Sequence, residues 1–190
     1  MTYDLHLEGE HARFAEAVTK LGSKAALTAY RRGINRIGDK ARTDVSRTLA
    51  KQVGLTQGKL KTLGKYGSSR ATVRDLTYQI TSRGGYLPLR AFGARQFGYG
   101  VRARPWGRSQ RYPGAFIFAG HPRSGKPVNA SDDVFHRRTS ASLPIERMFG
   151  PAIPVEMVKG DTANAFARAA ADLPKRIAHE VRVMTDWIVG

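Results

Sequence analysis

Gly120, Gly125 and Lys126 fit the G-x-x-x-x-G-K spacing of a phosphate-binding loop, and an apolar run over 114–119 precedes them on the correct side. In such a loop, backbone N–H groups cradle phosphates and the next Ser or Thr holds Mg²⁺. Here Pro127 occupies that position, with neither a hydroxyl nor an N–H, and Pro122 removes a second N–H. The following VNASDD is turn-like where a helix would have to begin. These residues argue against an ATPase and for a basic hairpin loop. His6, His11, His121, His136 and His179 are scattered, and His179-Glu180 lacks the second His of a zinc-protease helix. Asp132-Asp133 reads as a turn and makes no recognisable acid pair with Glu146; His136 reads as an exposed position on a strand. The absence of cysteine excludes disulfides, thiol catalysis and Cys-ligated zinc. Neither an enzyme nor a cofactor or metal is expected.

What remains is charge. The chain carries a formal +17, distributed unevenly. Residues 51–112 hold thirteen Lys/Arg against one acid, Asp75, a net +12; residues 156–190 are neutral. Such a segment attracts polyanions. Within it, Arg95, Arg102, Arg104, Arg108 and Arg111 are interleaved with aromatics, among them Trp106 and Tyr112. Single-strand binders use this pattern: rings stack on bases and arginine neutralises phosphate. The other reading is a half-buried strand with one polar side, in which Trp106 and Tyr112 pack. For the aromatics that second reading is preferred; for the arginines, contact with nucleic acid or an acidic protein surface is expected.

Several elements must position these residues. Residues 10–21 predict a short helix with Phe14, Ala17 or Val18, and Leu21 on one side. From Ser23, as N-cap, to about Gln52 a long helix is predicted. Leu27, Tyr30, Ile34, Ile37, Ala41, Val45 and Leu49 step by three or four into one stripe, with Arg32, Arg36, Lys40 and Arg47 opposite. Gly33 and Gly38 each weaken that helix by about 1 kcal/mol relative to Ala, so close packing must compensate. Gly54 reads as the C′ residue and Thr56 as the cap of a short helix to about Leu63. A strand near 71–82 follows, then a Gly84-Gly85 turn and YLPLRAF as an edge strand, because Pro88 cannot donate to a ladder. In FGYGVRARPW, Val101 and Ala103, together with Phe97 and Tyr99, alternate with Gly98, Gly100, Arg102 and Arg104 into a strand with one basic face. GAFIF predicts a buried strand and VFHRR another.

In SLPIERMFGPAIP, Pro144, Pro151 and Pro154 hold the backbone extended. Leu143, Ile145, Met148, Phe149 and Ile153 supply apolar anchors, either covering the sheet or docking on another subunit. The stretch 111–154 is thus read as scaffold and docking segment. Asp161 or Thr162 caps a last helix whose stripe, Ala163, Phe166, Ala170, Leu173, Ile177, Val181, Met184 and Ile188, keeps its phase through Pro174. One helix over 160–189, kinked at Pro174, is favoured over two separate ones, the alternative being a fresh start capped by Asp172; it is expected to pack on the sheet or on the 23–52 helix. The whole predicts an α+β fold over 1–190 as a single domain. It comprises a helical region (10–52), a β-rich region (68–158) forming one mostly antiparallel sheet, sandwich or partial barrel, and the C-terminal helix. MTYDLHLEGEH is unlike a signal peptide and no apolar run is long enough to span a bilayer, so a soluble protein made in the cytoplasm is expected.

The motif order resembles the minor tail protein Z family of tailed phages over nearly the whole chain. The resemblance rests on Gly114-Ala115-Phe116-Ile117, Val134-Phe135 with Arg137, Leu143-Pro144-Ile145, and Gly150-Pro151 with Pro154. It implies a structural virion protein without enzyme activity or metal. Such a protein would be a tail-completion or neck component at the head-proximal end of a long tail. It also implies a homo-oligomeric ring beside the tail terminator, near the end of the tape measure or the DNA, and synthesis in the host cytoplasm.

Overall fold

The computed structural model describes residues 1–5, 11–118 and 133–189. The loop candidates Gly120, Gly125 and Lys126, along with His6, His121 and Asp132, lie outside them. Among the described residues no helix is long and apolar enough to cross a membrane.

The fold is α+β, and the element at its centre is the second helix rather than 111–154. After β1 (Thr2–Leu5) and α1 (His11–Leu21), α2 runs over Ser23–Val53. Tyr30, Ile34, Val45, Leu49 and Val53 on it are completely buried, each contributing about 1.5–3 kcal/mol of transfer free energy. The sequence stripe is therefore the core face, and Arg32, Arg36, Lys40 and Arg47 lie exposed opposite it. Gly22, not Ser23, takes the cap position, with φ 75° and no side-chain cap bond. At the other end Gly54 is left-handed, φ 79°, and its N–H donates to Ala50 O and Lys51 O. A Cβ there would lie 2.3 Å from Gly107 N, so glycine is needed for space as well as for φ. Thr56 caps α3 (Gln57–Leu63) by accepting from Lys59 N, as expected.

Both interior glycines of α2 face neighbours within the same chain. A Cβ on Gly38 would sit 2.2 Å from Tyr78 Cδ2, and one on Gly33 2.9 Å from Ile177 Cγ1. The missing side chains let a strand and a helix lie directly on the α2 backbone, which offsets the helix-propensity cost.

Among the described residues the predicted single sheet is instead four small antiparallel ones, none closed into a barrel. β1 pairs with β3 (Tyr78–Thr81), and β2 (Gly67–Ser69) pairs with the other edge of β3. Strand β3 is shorter than the 71–82 expected. Residues before it turn instead: Thr72 N–H donates to Asp75 O (2.7 Å), Asp75 N–H to Thr72 Oγ1 (3.0 Å), and Asn35 bonds both the N–H and the C=O of Ala71. The short Thr72 and Asn35 side chains out-compete the ladder for local backbone. The second sheet is the ribbon of β4 (Tyr86–Pro88) and β11 (Phe149–Ala152). After Pro88 the chain curls into a 3-10 turn (Leu89–Phe92), not the longer edge strand expected. The third consists of β5 (Arg95–Phe97), β6 (Gly100–Ala103) and β7 (Gln110–Pro113), with a 3-10 turn (Pro105–Gly107) between β6 and β7. The fourth joins β8 (Phe116–Phe118), β9 (Asp133–Arg137) and β10 (Ile145–Arg147). The GAFIF strand forms as β8, but its residues are half-buried rather than fully buried. The VFHRR strand forms as β9.

The C-terminal region divides into α4 (Ile153–Met157), α5 (Gly160–Ala171) and α6 (Leu173–Val189). The break falls at Asp172, so Pro174 sits in the first turn of α6, where its missing N–H costs no helical bond. Lys159, not Asp161 or Thr162, takes the cap position of α5. Thr162 is fully buried and its hydroxyl donates to Gln52 Oε1 at 2.8 Å. Gln52 Nε2 donates to Glu156 O and Glu156 Oε2, each at 3.0 Å, so this one side chain ties the end of α2 to α4 and α5. Tyr3 stacks on Phe166 at 4.2 Å, fixing β1 to α5. A second, smaller core of Leu89, Val101, Ala103, Ala115 and Val134 lies under the third and fourth sheets.

Candidate functional site

The basic segment does form one face. In the third sheet Arg95 is directly opposite Arg102, and Arg102 directly opposite Arg111. Opposed residues share a side of the sheet, so the three arginines form a row across it. With strands about 4.8 Å apart, the row spans about 10 Å, close to one Debye length in physiological salt. The other side is the inner one: Val101 and Ala103 are buried there, and Tyr112 is half-buried against the second core.

Phe97 and Tyr99 were expected beside Val101 and are found on the arginine side. Phe97 pairs with Gly100, two residues from Arg102, which sets its direction outward. The two rings stack on each other at 5.5 Å with planes 5° apart. Arg102 lies 4.6 Å from the Phe97 ring centre and Arg111 5.3 Å from that of Tyr99. Each such contact is worth about 0.5–1 kcal/mol and holds a planar guanidinium while leaving its N–H edge for a partner. Among the described residues no carboxylate pairs with Arg95, Arg102, Arg104, Arg108 or Arg111.

Gln96 braces this hairpin. Its Nε2 donates to Phe97 O and Gly100 O, both at 3.1 Å, and its Oε1 accepts from Ile117 N–H at 2.9 Å. Neither Gln96 nor the Phe97–Tyr99 stack was singled out from the sequence as part of a site. The signal for the stack was FGYG, in which glycines flank an exposed ring at a hairpin tip.

The remaining members of the predicted arginine and aromatic set stand apart from the row. Arg104 and Arg108 are exposed around the 3-10 turn, outside the strands. Trp106 holds φ 53° inside that turn, and its Nε1–H donates to Glu156 Oε1 at 3.2 Å, so its indole is tied to α4. Tyr112 packs inward and donates to Gln110 Oε1 at 2.7 Å, and burial raises its pKa. The preference for packing over base stacking thus holds for Tyr112.

No family model, curated protein or solved structure matches this chain.

The predicted docking residues separate by burial. Leu143 is 69% exposed and Phe149 51% exposed, while Ile145 and Met148 are half-buried. Ile153 is 1% exposed within the main core, so it is not a surface anchor. The reason is local: Ile153 opens α4, which turns the chain back under α2. Tyr86, 68% exposed, adds to the outward residues. Phe149 opposes Pro88, and Tyr86 is two residues from Pro88, so the two rings share the outer face of the β4–β11 ribbon.

The fourth sheet carries two arginine–carboxylate ion pairs, with His136 beside one of them. Glu146 lies between His136 (3.6 Å) and Arg138, and buried Asp133 pairs with Arg147. His136 is accordingly a half-buried cross-strand partner of Glu146 rather than an exposed position. Among the described residues no three His, Cys, Asp or Glu side chains gather as a metal-ligand group.

Proposed function

We propose that this protein is a structural, non-enzymatic virion component: a tail-completion or neck protein that assembles with copies of itself into a ring and joins tail parts. The observation that carries this reading is the outer face of the β4–β11 ribbon. Tyr86 and Phe149 stand exposed there, on a ribbon whose two strands are both sheet edges. Two-stranded ribbons are marginal alone and open edges invite pairing, so a second subunit would both cover the rings and complete the ladder. Leu143 offers a further apolar contact on the proline-rich arm. The resemblance of the motif order to the minor tail protein Z family points the same way. The partners would be the tail terminator and neighbouring neck proteins, with the tape-measure end or DNA at the ring's centre.

The test is mass photometry and negative-stain imaging of the purified protein, alone and with a tail terminator. Discrete ring-sized particles are expected, with Phe149→Glu shifting them toward monomer. A strict monomer that binds neither the terminator nor tail tubes overturns the proposal.

A further inference from the structure

We infer that the outer face of the third sheet binds the phosphate backbone of duplex DNA, independently of sequence, through Arg95, Arg102 and Arg111. Like charges placed directly opposite on adjacent strands destabilise a sheet. Two such contacts occur in succession here, Arg95 with Arg102 and Arg102 with Arg111. Local conflict of this kind is retained where function requires it. Among the described residues no carboxylate relieves the row. A polyanion supplies that relief, neutralising the row and releasing counterions.

The rings decide which part of the nucleic acid is met. Phe97 and Tyr99 are stacked on one another, and each carries a guanidinium over its face. They serve to orient Arg102 and Arg111 instead of receiving bases, which favours backbone contact over single-strand stacking. An acidic protein partner fits less well. Protein interfaces centre on a desolvated apolar cluster. The aliphatics of this sheet, Val101 and Ala103, are buried on its inner side, and the two rings of the outer face, Phe97 and Tyr99, already stack on each other and carry Arg102 and Arg111 over their faces.

The experiment is fluorescence anisotropy with a short labelled duplex of arbitrary sequence, across a series of NaCl concentrations. Each of Arg95→Gln, Arg102→Gln and Arg111→Gln is expected to reduce the log–log salt slope by about 0.9, and the triple variant by about 2.7. Arg32→Gln and Arg36→Gln, at exposed positions of α2, leave the slope unchanged. Arg102→Lys keeps the slope, because the charge remains. Among the described residues Arg95 makes no ring contact, so Arg95→Gln tests the row even if loss of Arg102 disturbs the fold; thermal melts check each variant. The proposal is overturned if the α2 variants lower the slope as much as the row variants, since binding is then diffuse attraction to a +17 protein. It is also overturned if a poly-glutamate peptide or a single strand binds the row more tightly than the duplex. The readout concerns contacts of one chain, so it stands or falls separately from ring assembly.

Discussion

Replacing Gly38 with Ala should destabilise this protein although it improves a helix. In an isolated helix the change is worth about 1 kcal/mol in favour of Ala. Here the new Cβ would lie 2.2 Å from Tyr78 Cδ2 and 2.3 Å from its Cγ, where carbon pairs prefer about 3.5–4.0 Å. The ring must move by more than about 1 Å to regain that separation. It has little room: Tyr78 is 1% exposed, sits on the middle strand of the first sheet, and its hydroxyl donates to Asp39 Oδ1 at 3.0 Å. Overpacking costs about 1–3 kcal/mol and loss of the hydrogen bond about 1 kcal/mol. Set against the propensity gain, the net expectation is a destabilisation of about 1–3 kcal/mol, or roughly 2–12 °C in Tm for a chain of this size.

The sign of the effect should depend on Tyr78, and that dependence is the sharper test. In a Tyr78→Ala background the clash is gone, so Gly38→Ala should there stabilise by about 1 kcal/mol. The coupling between the two positions is then about 2–4 kcal/mol, at or above the usual range for contacting residues. Urea denaturation of the four proteins, compared by midpoint at constant slope, measures it. Stabilisation by Gly38→Ala in the wild type, or equal destabilisation in both backgrounds, would refute the close-approach account.

Gln52→Ala should cost about 2 kcal/mol or more, because it leaves the N–H and the hydroxyl of fully buried Thr162 without the acceptor they share; urea midpoints check this. Gln52→Glu should also destabilise, since it sets a carboxylate against Glu156, and the loss should shrink as the pH is lowered. The Lys40–Asp172 pair, 2.9 Å apart, predicts a weak dependence at both ends of the pH scale. The Lys40 hydrogen bond and charge hold the Asp172 carboxyl below its ordinary 3.8, so its contribution is complete above 3.8 and is lost as pH falls through the lower folded value. Asp172 in turn raises Lys40 above 10.5, so that contribution is complete below 10.5 and disappears as pH rises through the higher folded value. Lys40→Met should flatten both limbs in thermal melts, by a small amount because both groups face solvent.

The helices were legible in the sequence because their apolar periods are long. The stripe from Leu27 to Leu49 is the core face of α2, and Gly54 and Thr56 end and restart the helices as their chemistry predicts. What failed was reading where local chemistry yields to distant contact. Thr162 has the composition of a cap, yet Gln52, 110 residues away, claims its hydroxyl. Ile153 belongs by spacing to an exposed apolar arm, yet α4 folds it beneath α2. β1 was invisible because four residues carry too little alternation to outweigh an acidic neighbourhood.

The site shows the same limit in a more instructive form. Charge and the interleaved aromatics selected five arginines, and alternation set Arg102 and Arg104 on one face, but spacing along the chain does not show which of the five line up. Register does. Arg95, Arg102 and Arg111 come from three strands whose pairing is set by the Gly98–Gly100 turn and by the buried side, Val101 and Ala103. A slip of one residue in either pairing would turn one of them toward the second core, where a bare guanidinium is far too costly to bury. The core therefore enforces the alignment of the charges, and the outer face bears the repulsion that follows. Arg104 and Arg108 escape this constraint because the turn holding Trp106 has already left the sheet. A basic segment becomes a directed surface only for those residues whose backs are fixed by packing, and here packing fixes three.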